Sequence, residues 1–155
     1  MRFLILLSFL IFFNFCLNTR KNTKGELEFE TFEKGFYSGI KEKKEIVIKN
    51  KKEFIEMWKN HTKILLPLPE PPEIDFDKYM LICTFMGEKP TGGFSIEIKK
   101  IVESDKEISV YVKEISPGKN CIVTMAFTQP YHIVLLKKSK KKIKFYYEEE
   151  IRDCF

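Results

Sequence analysis

A chain of 155 residues, 44% hydrophobic and 32% charged, has the composition of a folded domain and excludes an intrinsically disordered protein. The length is that of one domain with a short appendage. The formal net charge of +5 comes from lysines mixed closely with glutamates, which is typical of a solvated surface, so we expect no nucleic-acid partner.

Residues 1–16 are typical of an export signal. Arg2 supplies a charged start, and Phe3 to Phe13 is apolar except for Ser8. The whole segment from Phe3 to Leu17 would span roughly 22 Å as a helix, less than the ~30 Å hydrocarbon core of a membrane. A signal peptide or a lipoprotein signal therefore fits better than a spanning helix. Residues 17–26 are polar and basic and are predicted to be a tether. We expect an exported protein, either a membrane-anchored lipoprotein or one in the periplasm or at the cell surface.

The roles that we predict for the cysteines depend on this prediction of export. Cys16 lies where a bacterial lipoprotein carries its lipidated cysteine, although Phe15 replaces the small residue expected before it. Lipidation of Cys16, ordinary cleavage and an uncleaved signal anchor all stay open. Among the other three, Cys121 and Cys154 are the favoured disulfide pair, because Cys83 lies inside an apolar strand. The spacings match no zinc site, and we expect no metal and no cofactor.

Hydrophobic periodicity predicts an α+β, β-rich fold. A helix over about residues 51–61 is indicated by Asn50 as its cap, by Glu53 three residues later, and by an apolar face that includes Trp58. Short alternating runs with turn signals between them predict a mostly antiparallel sheet or sandwich of about seven to eight strands, with the helix packed on it. The predicted strands begin at residue 27, before a turn at 38–39, and continue at 46–48, 79–86, 94–102, 107–114, 122–129, 132–136 and 143–147.

A glycine-rich loop follows the strand over residues 79–86. Gly87 and Gly92 have the spacing of a Walker phosphate loop, but Gly93 and Phe94 take the places of its lysine and hydroxyl residue. A strand rather than a helix comes next, so nucleotide binding is not expected. We predict instead a tight connection in which Gly92 and Gly93 supply positive φ and Pro90 fixes φ before them.

The residue types that carry catalysis form no constellation. His61 and His132 are the only histidines, and His132 alternates with apolar neighbours as a packed strand residue would. Asp75 and Asp77 fit a turn before a strand better than an acid–base pair. We therefore expect no enzyme; a hydrolase that uses Cys121 or these aspartates is the less favoured alternative.

The run of residues 137–144 contains six lysines. We interpret it as a charged hairpin tip that protects sheet edges from pairing, and contact with anionic lipid or a cell-wall polymer stays open as its alternative role.

Several segments together resemble the PrcB C-terminal domain family. They are GFYSGI, FIEMW, IDFDKYMLICTFMGEKPTGGFSIEI, SPGKNC and TQPYHIV, spread from about Gly35 to Phe145. The most specific of them are the loop Lys89–Phe94 and the tripeptide Gln129–Tyr131. The resemblance implies that residues 27–155 form a single small, non-catalytic domain of an exported and often lipidated protein. In the member that names the family, the domain belongs to a lipoprotein subunit that associates with a surface protease and stabilises it.

The resemblance also suggests a partner and a site. The partner would be another exported protein, such as a protease, and the oligomeric state is left open. We expect the loops 87–94 and 128–132 to lie at a partner-facing end; the alternative is that both only pack the ends of the sheet. The expected partner-binding residues are Lys89, Pro90, Thr91, Gly92, Gly93, Phe94, Gln129, Pro130 and Tyr131.

A weaker similarity supports a different function. Chagasin-type inhibitors of cysteine proteases carry an Asn-Pro-Thr-Thr-Gly-aromatic loop and a later Arg-Pro-Trp-like loop on an immunoglobulin-like sandwich. The loops Lys89–Phe94 and Gln129–Tyr131 are similar to these two, although the leading Asn, the second Thr and the Trp are absent. A protease inhibitor is therefore the alternative function.

Overall fold

The structure is a computed structural model and describes residues 25–154. Within this part of the chain the elements are β1 Glu26–Leu27, β2 Glu30–Gly35, β3 Lys43–Ile48, α1 Lys51–Thr62, β4 Tyr79–Met86, β5 Ser95–Glu103, β6 Glu107–Pro117, β7 Tyr131–Lys137 and β8 Lys142–Arg152. The strands form two four-stranded sheets, in the orders β1-β5-β6-β8 and β2-β7-β4-β3. All pairs are antiparallel except β6 with β8. The expected β-rich fold with one helix is confirmed. The predicted signal 1–16, with Cys16, and tether residues 17–24 lie outside the described residues.

The strand β4 lies in the sheet β2-β7-β4-β3, which is the middle of three layers. It packs against the other sheet on one face and against the helix on the other. Met80 and Ile82 face the core between the two sheets, and Leu81 and Cys83 face the core between sheet β2-β7-β4-β3 and the helix. Because successive side chains of a strand point to opposite faces, a strand covered on both sides is apolar at every position. This is why the segment 79–86 has no polar alternation.

The helix begins where local signals place it. The Asn50 side chain accepts a hydrogen bond from the Glu53 backbone N–H at 3.0 Å, and the Glu53 carboxylate accepts one from the Lys49 N–H at 3.2 Å. Trp58 is buried, and its Nε1–H donates to the Pro69 carbonyl at 3.0 Å. The proline-rich segment 67–72 is thereby held along the helix as a crossing connection.

Two of the predicted elements are wrong. Residues 122–129 form no strand; the only strand-like feature is one bridge between Lys89 and Thr128. The segment has an apolar composition, but it lies beyond the ends of both sheets, where no neighbouring strand is available. The first predicted strand is divided instead: β1 joins one sheet and β2 the other, and the break in alternation after Phe29 marks the crossing.

The lysine run is also different from the prediction. It connects β7 in one sheet to β8 in the other, so it is a crossover and not a hairpin tip. Lys138 donates from Nζ to the Phe76 carbonyl at 2.6 Å, and Lys141 pairs with Glu103 at 3.2 Å.

The strand directions give the sandwich two distinct ends. We call the end formed by residues 36–42, 63–68, 87–94 and 118–130 the loop end. The other, which we call the lysine end, is formed by residues 75–78, 104–106 and 138–141. The described chain begins at the lysine end, where the Gly25 carbonyl accepts a hydrogen bond from the Glu103 N–H at 2.6 Å.

Candidate interaction site

The loops 87–94 and 128–132, which the sequence analysis singled out, meet at the loop end. Lys89 and Thr128 exchange two backbone hydrogen bonds, of 2.7 and 3.0 Å. The Thr128 hydroxyl donates to the Thr91 carbonyl at 2.8 Å, and the Gly92 N–H donates to the Thr124 carbonyl at 2.9 Å. The loop 87–94 is therefore fastened along its length to residues 124–128.

The glycines of this loop have two different reasons to be glycine. Gly93 has φ +85°, a conformation that side chains disfavour, as predicted. Gly92 does not have positive φ, so the prediction for that residue is wrong. It is constrained by proximity instead, because a Cβ atom there would collide with the Thr124 side chain.

The tripeptide Gln129–Tyr131 is buried. The Gln129 side chain donates to Glu88 at 2.9 Å, and the Pro130 carbonyl accepts from the Met86 N–H at 2.9 Å. These residues lie beneath the loop 87–94 and brace it. Of the expected partner-binding set, Pro90 and Gly93 are exposed, while Lys89, Thr91, Gly92 and Phe94 are half-buried.

A buried polar network supports the same end from below. The Tyr131 hydroxyl donates to Glu33 at 2.9 Å, and His61 Nε2 lies 3.2 Å from the other Glu33 oxygen. Ser38 Oγ lies 2.9 Å from His61 Nδ1 and accepts the Ile40 N–H at 3.0 Å. The hydrogen bond from His61 lowers the pKa of Glu33, and that from Tyr131 adds to this against the opposing effect of burial. Burial, followed by the bond to Glu33, raises the pKa of Tyr131.

The Ser38–His61–Glu33 arrangement resembles a serine, a base and an orienting carboxylate, which the sequence spacing did not reveal. Ser38 is only 1% exposed, and its oxygen already accepts a backbone hydrogen bond. A nucleophile must reach a substrate carbonyl, and this hydroxyl lies inside the fold. The network therefore ties β2, the loop 36–42 and the helix together.

His132 is the second histidine and is also fully engaged. Its Nδ1 accepts the Ile98 backbone N–H at 2.9 Å, so the ring proton is on Nε2, which lies 3.0 Å from the Thr31 hydroxyl. Burial, with a smaller contribution from Lys34, lowers the pKa of His132 to about 4. The ring links β7 and β2 to an edge N–H of β5, as a packed residue would.

The most exposed apolar side chains at this end were missed by sequence reasoning. Phe127 is 66% exposed and Leu66 is 95% exposed. We call the exposed apolar side chains on three of the loop-end segments, 36–42, 63–68 and 118–130, the apolar rim: Phe36, Tyr37, Ile64, Leu65, Leu66, Leu68, Ile122, Met125 and Phe127. The sequence signal that could have indicated the apolar rim is the presence of apolar residues near prolines and glycines, where no strand can bury them.

Backbone contacts hold the segments of the apolar rim near one another. The Gln129 N–H donates to the Phe36 carbonyl at 2.8 Å, and the Gly39 N–H donates to the His61 carbonyl at 2.7 Å. The first bond joins the segment 118–130 to the segment 36–42, and the second joins 36–42 to the end of the helix. The apolar rim is therefore carried by interlinked loops.

Cys121 and Cys154 form a disulfide with Cα atoms 5.2 Å apart, the pair that the sequence favoured. It joins the loop 118–130 to the chain just after β8. The thiol of Cys121 is consequently not available as a nucleophile. Cys83 is a buried free cysteine, and burial raises its pKa.

Asp75 and Asp77, the paired carboxylates of the sequence, belong to a turn at the lysine end. The Asp75 side chain accepts the Asp77 N–H at 3.1 Å and pairs with Lys78 at 2.9 Å. In residues 25–154 no group of three or more His, Cys, Asp or Glu side chains is placed to hold a metal ion. Over the same residues, no helix has both the length and the apolarity needed to cross a membrane.

Comparison with known proteins gives one match. Residues 80–137 match the model of the family described as PrcB C-terminal. This segment runs from β4 to the end of β7 and so contains both loops that meet at the loop end. No curated protein and no solved structure matches the chain. The resemblance to the PrcB C-terminal family is therefore confirmed over residues 80–137, the segment that carries its most specific motifs.

Proposed function

We propose that this protein is a non-catalytic, exported interaction domain that acts as an accessory or stabilising subunit of a cell-surface protein complex, with a protease as its partner. The observation that carries the proposal is the apolar rim on the braced loop end. The choice of a protease as the partner is supported by the match to the PrcB C-terminal family, since the member that names this family belongs to a surface protease complex.

The apolar rim supports docking because burying it releases free energy. Apolar surface removed from water contributes about 25 cal/mol per Å², and large exposed aromatic side chains are the usual anchors of protein interfaces. Phe36, Tyr37 and Phe127 are all more than half exposed. The disulfide and the hydrogen bonds between Lys89 and Thr128 hold the segment 118–130 before a partner arrives. Less conformational entropy is then lost on binding.

The place where the described chain begins also supports the loop end as the partner-facing end. The described chain begins at Gly25 on the lysine end, opposite the loop end. A tether over residues 17–26, held by a lipid on Cys16 or by a signal anchor, would leave the loop end facing away from the membrane. Export and anchoring are part of the proposal. A mass measurement of the mature N-terminus tests them: acyl mass on Cys16 is expected, and its absence would remove the lipoprotein assignment.

The engagement of the histidines supports a non-catalytic role. Both rings have partners at both nitrogens, Ser38 is buried and Cys121 is in a disulfide. A protease inhibitor stays the second candidate, because the two inhibitor-like loops are adjacent at one end of a sandwich. Burial of Gln129–Tyr131 counts against it, since the corresponding inhibitor loop would have to contact the protease.

The test is recovery of the partner with a matched pair of variants. The full chain is tagged, solubilised from membranes with detergent, and its bound proteins are identified and assayed for proteolysis. Phe127→Ser together with Tyr37→Ser should reduce partner recovery at least tenfold. Ile55→Ser, which removes an exposed apolar side chain outside the loop end, should leave recovery unchanged.

The outcomes separate the candidates. A recovered protease that cleaves substrate supports the accessory subunit and contradicts the inhibitor. A protease recovered in inactive form, and released active by the double variant, supports the inhibitor instead. Equal recovery with the double variant and with Ile55→Ser contradicts docking through the apolar rim.

A further inference from the structure

We propose that two copies of this chain associate through β8, in antiparallel register centred on Tyr146, so that the sheet β1-β5-β6-β8 continues from one copy into the other. This surface is separate from the loop end and does not rest on the proposed function. The strand contains 11 residues and is outermost in its sheet. No strand in residues 25–154 pairs with its far edge. An open edge of this length is a template for another strand.

The charges of β8 make the edge complementary to itself. Its first half carries Lys142 and Lys144, and its second half carries Glu148, Glu149 and Glu150. In an antiparallel pair centred on residue 146, the position numbers of opposing residues sum to 292. Residue 142 then lies opposite residue 150, and 144 opposite 148. Each half of the strand meets the opposite charge twice, as a two-fold symmetric interface requires.

The outer face of the sheet continues this pattern across the boundary. Within one copy, Lys113 lies opposite Glu148 in the β6–β8 register and forms an ion pair with Glu150. The second copy adds Lys144 beyond Glu148, which gives a row of alternating charges. Neither Lys142 nor Glu148 has an ion pair within the described part of one copy.

A row of aromatic rings lies at the centre of the interface. Tyr111 and Tyr146 are opposite in the register and stack with ring centroids 5.4 Å apart and planes at 23°. Tyr146 is 43% exposed. Pairing places the second copy's Tyr146 next to it, so that four tyrosines form one continuous row. Cross-strand aromatic pairs of this kind stabilise antiparallel sheets.

The inner face and the other registers support the same centre. Phe145 and Tyr147, which pack against the core between the sheets, would lie opposite each other across the boundary. A shift of one residue would set the inner side chains of one copy against the outer side chains of the other. A centre at Phe145 would place Lys144 opposite Tyr146, and a centre at Tyr147 would place Lys142 opposite Arg152. The register centred on residue 146 therefore matches the most charges.

Cysteine crosslinking tests the register in the full chain. Directly opposed residues have Cα atoms about 4.5–5.5 Å apart, which lies within the range for a disulfide. Tyr146→Cys should therefore form a covalent dimer on mild oxidation of the full-length protein. Tyr111→Cys is the matched control, one strand inward and roughly 15 Å from its symmetry mate, and should not exceed the crosslinking of the unsubstituted chain.

A second pair of variants keeps Tyr146 in place. Copies with Lys144→Cys and copies with Glu148→Cys should crosslink when produced together, and neither should do so alone. Glu148→Lys, which opposes Lys144 with a like charge, should reduce crosslinking through Tyr146→Cys severalfold.

Three results would overturn the proposal. One is Tyr146→Cys crosslinking no better than Tyr111→Cys, together with no crosslink between the mixed copies. Stronger self-crosslinking at Phe145→Cys or Tyr147→Cys would contradict the register. A covalent product with the mass of this chain plus a different protein would show that another strand covers β8.

Discussion

The loop end and the lysine end expose very different chemistry. Several charges at the lysine end have partners, such as Lys78 with Asp75 at 2.9 Å and Lys141 with Glu103 at 3.2 Å. The loop end exposes the apolar rim, held on loops that are fastened by backbone hydrogen bonds and a disulfide. Charged side chains are well solvated by water, whereas covering exposed apolar side chains lowers the free energy of the system. This difference indicates that the loop end should bind the partner. Substitutions can be made at each end separately.

The largest expected effect is the loss of the disulfide at the loop end. Cys121→Ser together with Cys154→Ser opens a link between residues 33 apart in sequence. Removing it should lower the free energy of unfolding by about 3–4 kcal/mol, because the unfolded chain regains loop entropy. Denaturant unfolding with and without reductant measures this. The unsubstituted chain should lose the same amount on reduction, and the double variant should not respond to reductant.

The second comparison removes one lysine from each end. Lys43 lies 2.8 Å from the buried Glu114 carboxylate and links the two sheets near the loop end. Lys43→Met leaves a buried charge without its partner and should cost about 3 kcal/mol at pH 7. Lys140→Met, an exposed position in the lysine run, should change stability by less than about 0.5 kcal/mol. Equal losses in denaturant unfolding would mean that Lys43 also acts as a surface charge.

Acid should weaken the packing beneath the loop end through His132. Its pKa is about 4 in the fold, against the ordinary value of 6.5, so the unfolded chain takes up the proton first as the pH falls. The contribution of a neutral His132 is complete above pH 6.5 and is lost between there and about pH 4, in total about 3 kcal/mol.

Unfolding curves between pH 7 and pH 4 measure this effect of His132. His132→Gln should flatten the dependence in that window. Asp75, at the lysine end, has a pKa lowered by its hydrogen bond with Lys78, so its contribution is lost only below the ordinary carboxyl range. An unchanged slope in His132→Gln would exclude His132 as the origin.

The smallest expected difference in stability is between alanine substitutions at two glycines with positive φ. Gly93 has φ +85° in the braced loop, and Gly25 has φ +96° where the described chain begins. Gly93→Ala should cost about 1–2 kcal/mol, since the fastened loop cannot relax. Gly25→Ala should cost less than about 0.5 kcal/mol, because β1 can fray without opening either core. Thermal unfolding of the two variants measures the difference, and similar losses would mean that the loop end is no more rigid than the chain entry.

The helix and β4 could be predicted from the sequence because their signals are local. Asn50 and Glu53 cap the helix by contacts within four residues, and β4 was placed at its observed bounds by its apolar run. The segment 122–129 could not be assigned in this way, although it has strand-like composition. Its backbone partners are Phe36, Lys89 and Gly92, which are distant in sequence.

The candidate site was predicted in part. The sequence indicated that the loops 87–94 and 128–132 lie at one end, and the structure brings Lys89 to Thr128. It did not indicate that Gln129 and Tyr131 are buried braces, or that Phe127 is exposed beside them. Those distinctions depend on which face each residue turns toward the rest of the protein.

By itself, the sequence determined the types of the main elements, the apolar faces of the helix and inner strands, and the need for glycine at position 93. These features follow from the 3.6-residue and two-residue periods and from φ, which are local properties. Only the tertiary structure decided that the first predicted strand is shared between two sheets and that β6 and β8 run parallel. It also separated the apolar rim from the lysines at opposite ends. Strand partners and exposed faces are fixed by packing between distant segments, and a single sequence does not specify those contacts locally.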